Sequence, residues 1–109
     1  MTTFDATIGP EVSQGVVNFS TSGDNIVILG LGTNRIKVLQ FFLVFAGPVN
    51  LVYKSGSTPL SGTLTFPSNG AHVLDYIQLP LTCNPGDSFV INSSAAVQVG
   101  GTIWYAVIQ

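Results

Sequence analysis

The residues able to do chemistry are few and far apart. The chain has one imidazole, His72, one thiol, Cys83, five carboxylates at Asp5, Glu11, Asp24, Asp75 and Asp87, and three cations at Arg35, Lys37 and Lys54. A catalytic apparatus needs a nucleophile, a base and an orienting group, or two carboxylates in unlike surroundings. His72 lies three residues before Asp75, and in a strand such positions point to opposite faces, so a solvated or hydrogen-bonded structural histidine is expected. Cys83 has no second histidine or nearby cation to lower its pKa, which describes a buried, inert thiol rather than a nucleophile. No Cys/His pair has zinc spacing, and the acids never alternate as calcium ligands do. The sequence therefore predicts no catalytic residue, no metal site and no cofactor.

Three short motif matches fall away on context. Gly30-Leu31-Gly32 opens toward another β-like run, whereas a phosphate cradle opens a helix. Asn18-Phe19-Ser20 and Asn92-Ser93-Ser94 fit the glycosylation pattern, but no secretory signal accompanies them. Asn69-Gly70 has the residue types of a tight hairpin turn. Sugar binding by aromatic stacking has Tyr53, Tyr76, Trp104 and Tyr105 to draw on. Tyr76, in the polar stretch 72–78, is the plausible exposed platform, with Gln78 and Asn69 as hydrogen-bonding neighbours; Trp104 and Tyr105 fall in a strongly apolar strand, where packing is expected.

The elements that must position these residues read as strands. Turn signals recur about every ten residues, among them Ser22-Gly23-Asp24-Asn25, Gly47-Pro48, Pro67-Ser68-Asn69-Gly70 and Asn84-Pro85-Gly86-Asp87. Gly supplies positive φ, Pro presets the second turn position, and Asn or Asp bonds its own backbone. Between them lie runs rich in Val, Ile, Phe and Thr, predicting strands at 14–20, 25–31, 35–46, 49–54, 60–66, 71–77, 88–92 and 96–108, the last bulged or broken at Gly100-Gly101. No window carries a helical stripe. The fold class is all-β, an antiparallel sandwich of about eight strands spanning 13–109 behind an N-terminal arm, 1–12.

Composition excludes several partners. Only 7% of the 109 residues are charged and 46% are hydrophobic, against about a quarter charged in an ordinary soluble domain. The 13 Val, 8 Ile and 7 Phe can build a core, which excludes disorder. Three dispersed cations at net charge -2 cannot neutralise the phosphates of a nucleic acid or anchor to an anionic membrane. A single cysteine allows no internal disulfide. The opening residues lack the basic and apolar regions of a signal peptide, and the strongest apolar run, 39–49, is too short to span a bilayer.

Two strands are apolar on both faces. Strict alternation in 35–46 puts Ile36, Val38, Phe42 and Val44 on one side and Leu39, Phe41, Leu43 and Phe45 on the other; in the last strand Trp104, Ala106 and Ile108 alternate with Ile103, Tyr105 and Val107. A sandwich strand should show water one polar face. Such strands occur at the centre of a closed monomeric barrel, but a homo-oligomer that buries the second face against copies of itself is the more economical reading. The expected trimer core is Phe41, Leu43, Phe45, Trp104 and Tyr105, with the choice between interior and axis left open for each face.

The runs Asn25–Leu29 and Arg35–Leu39, then Val49–Leu64 with its Lys54-Ser55-Gly56 turn and Leu60-Ser61-Gly62 partner strand, then Pro85–Tyr105 with Ala95-Ala96-Val97-Gln98-Val99-Gly100-Gly101, resemble the small structural proteins of tailed bacteriophage virions. The resemblance covers roughly residues 22–108. It implies a jelly-roll sandwich similar to tumour-necrosis-factor-like homotrimers, used as capsid decoration (cement) proteins on the head or as tail and fibre modules. The expected role is a non-enzymatic virion protein, made in the bacterial host cytoplasm, that binds the outer head surface and stabilises the shell. Its partners would be itself and the major capsid protein, with the arm residues Thr2, Thr3, Phe4, Asp5 and Ile8 pairing with an adjacent capsid subunit by strand addition. The alternative is a receptor- or glycan-binding module at a tail tip.

Overall fold

The computed structural model describes residues 12–75 and 80–108. The arm residues Thr2, Thr3, Phe4, Asp5 and Ile8, and Tyr76 and Gln78 of the expected glycan platform, lie outside the described residues. Ten strands run in chain order: β1 (Val12–Phe19), β2 (Gly23–Ile28), β3 (Arg35–Phe45), β4 (Val49–Ser55), β5 (Thr58–Pro59), β6 (Leu64–Phe66), β7 (Ala71–Asp75), β8 (Leu81–Thr82), β9 (Phe89–Ser93) and β10 (Val99–Ile108). All eight expected strands are present, and the described residues contain no helix. The run 60–66 keeps only a short β6, and β5 and β8 add two-residue ladders.

Two antiparallel sheets form the sandwich. Sheet A has the order β1-β10-β3-β7, with β8 beside the other end of β3; sheet B has the order β2-β9-β4-β5, with β6 also on β4. Successive strands mostly alternate between sheets, the double Greek-key order of a jelly roll. The turns serve that crossing. Asn84-Pro85-Gly86-Asp87 closes through the Asp87 amide on the Asn84 carbonyl at 3.1 Å, with Gly86 at φ 81°, the third-position geometry that Gly adopts without cost. Asn69 also takes positive φ, at 60°. Its turn joins β6 of sheet B to β7 of sheet A, so Asn69-Gly70 turns between layers and not within a hairpin.

Strand β3 departs from strict alternation. Trp104 pairs with Gln40 while Tyr105 pairs with Val38, so Leu39 is an extra residue in the ladder. A bulge of this kind re-aims every side chain beyond it. Ile36 and Val38 face the interior before it; Phe41, Leu43 and Phe45 face the interior after it, each at 1% exposure or less. The expected grouping of Phe42 and Val44 with Ile36 and Val38 is therefore corrected. The expected trimer core is corrected with it: Phe41, Leu43 and Phe45 are spent inside the chain's own sandwich and have no surface for an axis. The strand irregularity lies at Leu39, and β10 runs unbroken through Gly100-Gly101.

The core forms between the sheets from Val17, Ile36, Val38, Phe41, Leu43, Phe45, Leu51, Tyr53, Phe89, Ile91, Val99 and Ile103. Phe45 meets Phe66 across the layers with ring centroids 4.4 Å apart, and Phe41 meets Tyr53 edge-on at 5.2 Å, geometries that add to the area term of burial. Gly101 faces inward between Val17 and Leu43. A Cβ there would run into the Phe42 carbonyl oxygen of the neighbouring strand, whereas one on Gly100 would meet only the Val17 carbonyl oxygen at 3.9 Å. Substituting Gly101→Ala should therefore cost about 3 kcal/mol, as overpacking against rigid backbone does, and Gly100→Ala should stay within about 0.5 kcal/mol of wild type. Urea titrations of both variants check this; equal losses would contradict the close approach at Gly101.

Candidate functional site

The outward side of sheet A is the most distinctive surface. Cross-strand partners share a face, and the ladders place four rows there: Asn18–Gly100–Val44–Ala71, Val16–Thr102–Phe42–Val73, Gln14–Trp104–Gln40–Asp75 and Val12–Ala106–Lys37–Thr82. Charge enters these rows only at Lys37 and Asp75. Val16 is 77% exposed, Val73 68%, Val44 51% and Phe42 42%. Scattered exposed apolar residues are ordinary, but here Phe42 and Val44 of β3 adjoin Val73 of β7, with Val16 of β1 across Thr102 of β10, and contiguous apolar surface marks an interaction site.

Trp104 sits at the centre of this face. Its indole N–H donates to Gln14 Oε1 at 3.2 Å, and its ring lies against Phe42 with centroids 6.3 Å apart and planes tilted 41°. Tyr105, its neighbour in β10, turns to the other side and packs against the core. Of the five residues expected at a trimer interface, Trp104 alone projects outward. The outward placement of Phe42 and Val44 apart from Ile36 and Val38 was missed because the sequence pattern carries no mark of the bulge.

Sheet B presents a different exterior. Lys54 Nζ reaches both Asp24 carboxylate oxygens at 3.1 Å, and Asn92 Nδ2 donates to Asp24 Oδ1 at 2.7 Å. These hydrogen bonds, from Asn92 first and then Lys54, hold the Asp24 carboxyl below its ordinary range. Asn50 and Thr65 pair beside them. The exterior of sheet B thus carries an ion pair beside the exposed Ile26, whereas the two sheet A rows that hold Val16, Phe42, Val44 and Val73 carry no charge.

The scarce titratable groups are placed as structural elements. His72 and Asp75 lie on opposite faces of β7: His72 opposes Leu43, which points inward, and Asp75 opposes Gln40, which points outward. His72 Nδ1 is 2.6 Å from the buried Tyr53 hydroxyl, and the two rings stack 5.8 Å apart at 9°. Burial lowers the His72 pKa and raises that of Tyr53. Burial thus favours the neutral form of both groups, which share this one hydrogen bond. Cys83 is buried, and burial above all pushes its thiol up to about 11, the opposite of an activated nucleophile. Nearby, Ser55 Oγ donates to Asp87 Oδ2 at 2.8 Å and accepts the Asn84 amide at 2.9 Å, while Ser88 Oγ accepts the Gly30 amide at 2.8 Å. These bonds staple the loops at one end of the sandwich. Among the described residues no three His, Cys, Asp or Glu side chains gather as metal ligands would.

Two outcomes follow. The folded chain resists protonation at His72, whereas the unfolded chain binds that proton near pH 6.5. Unfolding is therefore favoured as pH falls through that value, because the unfolded state then holds more protons. Thermal melts should show Tm dropping between pH 7.5 and 5.5, above the window in which Asp24 titrates. His72→Phe should flatten that slope, and a slope unchanged by H72F would contradict the assignment. Cys83 should react with a thiol reagent at pH 8 only at the rate of unfolding; immediate stoichiometric labelling of folded protein would show the burial to be wrong.

No family model and no curated protein matches the chain. Among solved structures, a chain from Bacillus endospore appendages, described as a novel family of disulfide-linked pili, superposes with a TM-score of 0.54 at 15% identity, over 91% of this chain and 87% of that one. At that identity the likeness shows a shared fold: this chain is an all-β protein of two antiparallel sheets packed as a sandwich.

Proposed function

We propose that this chain is a non-enzymatic structural subunit of a virion, a decoration (cement) protein made in the bacterial host cytoplasm. It is seated on the outer head surface of a tailed bacteriophage, where it binds the major capsid protein and copies of itself. The observation that carries the reading is the outer face of sheet A, where Phe42, Val44 and Val73 stand exposed side by side, with Val16 exposed one strand away. A rigid sandwich with a broad apolar face and few ions is suited to neighbours made of protein. The fold shared with a chain of endospore appendages supports the coarser part of the reading, a structural protein. The disulfide linkage named for those pili has no counterpart in the described chain, since the one cysteine, Cys83, is buried. The homotrimer implied by the phage resemblance needs a contact other than Phe41, Leu43 and Phe45.

A second reading, a glycan- or receptor-binding module of a tail tip, is favoured by one observation. Trp104 faces outward between Gln14 and Gln40, an aromatic ring flanked by amides, whereas sequence reasoning looked to Tyr76. Quantitative mass spectrometry of purified particles separates the two. Decoration requires the protein on tail-free heads at a copy number comparable to the shell's symmetry sites. Presence only on tails at a few copies, with a positive glycan array abolished by Trp104→Ala, would establish the second reading and overturn the first.

A further inference from the structure

We propose that the outer face of sheet A is closed by the same face of a second copy of this chain, sheet against sheet about a twofold axis. The inference rests on the structural-subunit reading and names the partner of its apolar face.

Three observations select a second copy. The first is size. Four strands spaced by roughly 4.8 Å, with about eight residues each at roughly 3.3 Å per residue, present a face on the order of 500 Å², with the rows of Lys37 and Asp75 included. Two such faces bury on the order of 1,000 Å², the area at which a specific contact becomes sustainable. The second is charge. The two rows that carry Val16, Phe42, Val44 and Val73 contain no ionisable side chain, so identical faces meet there without like-charge repulsion. A partner chosen by charge complementarity would find nothing to pair with. The third is the contrast between faces. A head-to-tail stack would set this apolar face on sheet B and bury the Asp24–Lys54 ion pair against valines, at a desolvation cost that attraction between the ions rarely recovers. An isologous contact sets like on like and closes on itself, leaving the polar face in water.

Packed sheets sit about 10 Å apart with interdigitated side chains. The Val16–Thr102–Phe42–Val73 row runs from one edge of the sheet to the other; a twofold axis through its middle sets Phe42, with the Trp104 ring against it, at the centre of the contact. Each chain owns one such face, so the assembly contains an even number of chains.

Light scattering coupled to size exclusion tests this on the full chain at micromolar concentration. The expected result is a mass of two chains, or a multiple of two. Val44→Lys and Val73→Lys, both at exposed positions that leave the core untouched, should each weaken association at least about 100-fold, the consequence of burying an unpaired cation. Thr65→Lys on sheet B should leave the mass unchanged. A single-chain mass overturns the pairing, as does association that survives V44K and V73K. A mass of three chains also overturns it, in favour of the trimer of the phage resemblance. None of these masses depends on where the protein sits in a particle, so a failed pairing and a failed virion assignment are told apart.

Discussion

The bulge at Leu39 is the constraint on which the rest of this structure depends. One extra residue in β3 reverses which side chains look inward, and an eleven-residue strand with apolar residues on both sides is thereby divided between two tasks. The largest aromatic and aliphatic groups after the bulge, Phe41, Leu43 and Phe45, fill the sandwich; Phe42 and Val44 are left on the outside. Without that shift, Phe41, Leu43 and Phe45 would be turned out of the core. The Phe41–Tyr53–His72 cluster, in which both rings contact Phe41 edge-on, exists only in the shifted register.

Much of the fold was legible because it rests on local chemistry. Pro85-Gly86 and Asn69 mark turns for backbone reasons that hold in any context, and runs of Val, Ile and Phe between such turns make strands. The inertness of Cys83 and the separation of His72 from Asp75 were legible too, the first from the lack of a charged neighbour in sequence and the second from the two-residue period. The bulge was not, since it is set by pairing between β3 and β10, some sixty positions apart in sequence. Its effect explains the specific failure at Phe41, Leu43 and Phe45, where two apolar faces were recognised but assigned to sides by unbroken alternation. The sequence placed the irregularity at Gly100-Gly101, where Gly101 instead leaves no room for a Cβ beside the Phe42 carbonyl of β3. The phase change occurs further along the same pair of strands.

The scarcity of ions acquires a physical meaning in this arrangement. Among the described residues, Asp24 and Lys54 pair on the exterior of sheet B, Asp87 bonds to Ser55 among the end loops, and Lys37 and Asp75 lie in two of the four outward rows of sheet A. The two rows that hold Val16, Phe42, Val44 and Val73 have none. An apolar face is a liability for an isolated subunit, exposing valines to water and inviting non-specific association, and it is an asset for one that works while covered. The uncharged rows of sheet A suit the proposed subunit, which would join protein there.

The central claim is that β3 sorts its side chains, Leu43 and its inward neighbours into the core and Val44 onto a face that a neighbour covers. Solvent paramagnetic relaxation of methyl groups by NMR, measured as the protein is concentrated, tests both halves together. The account predicts that Leu43 is protected at every concentration, whereas the Val44 and Val73 methyls are strongly relaxed in dilute solution and become protected as chains associate. Relaxation of Leu43 comparable to that of Val44, or Val44 and Val73 methyls that stay accessible while the protein associates, would contradict it.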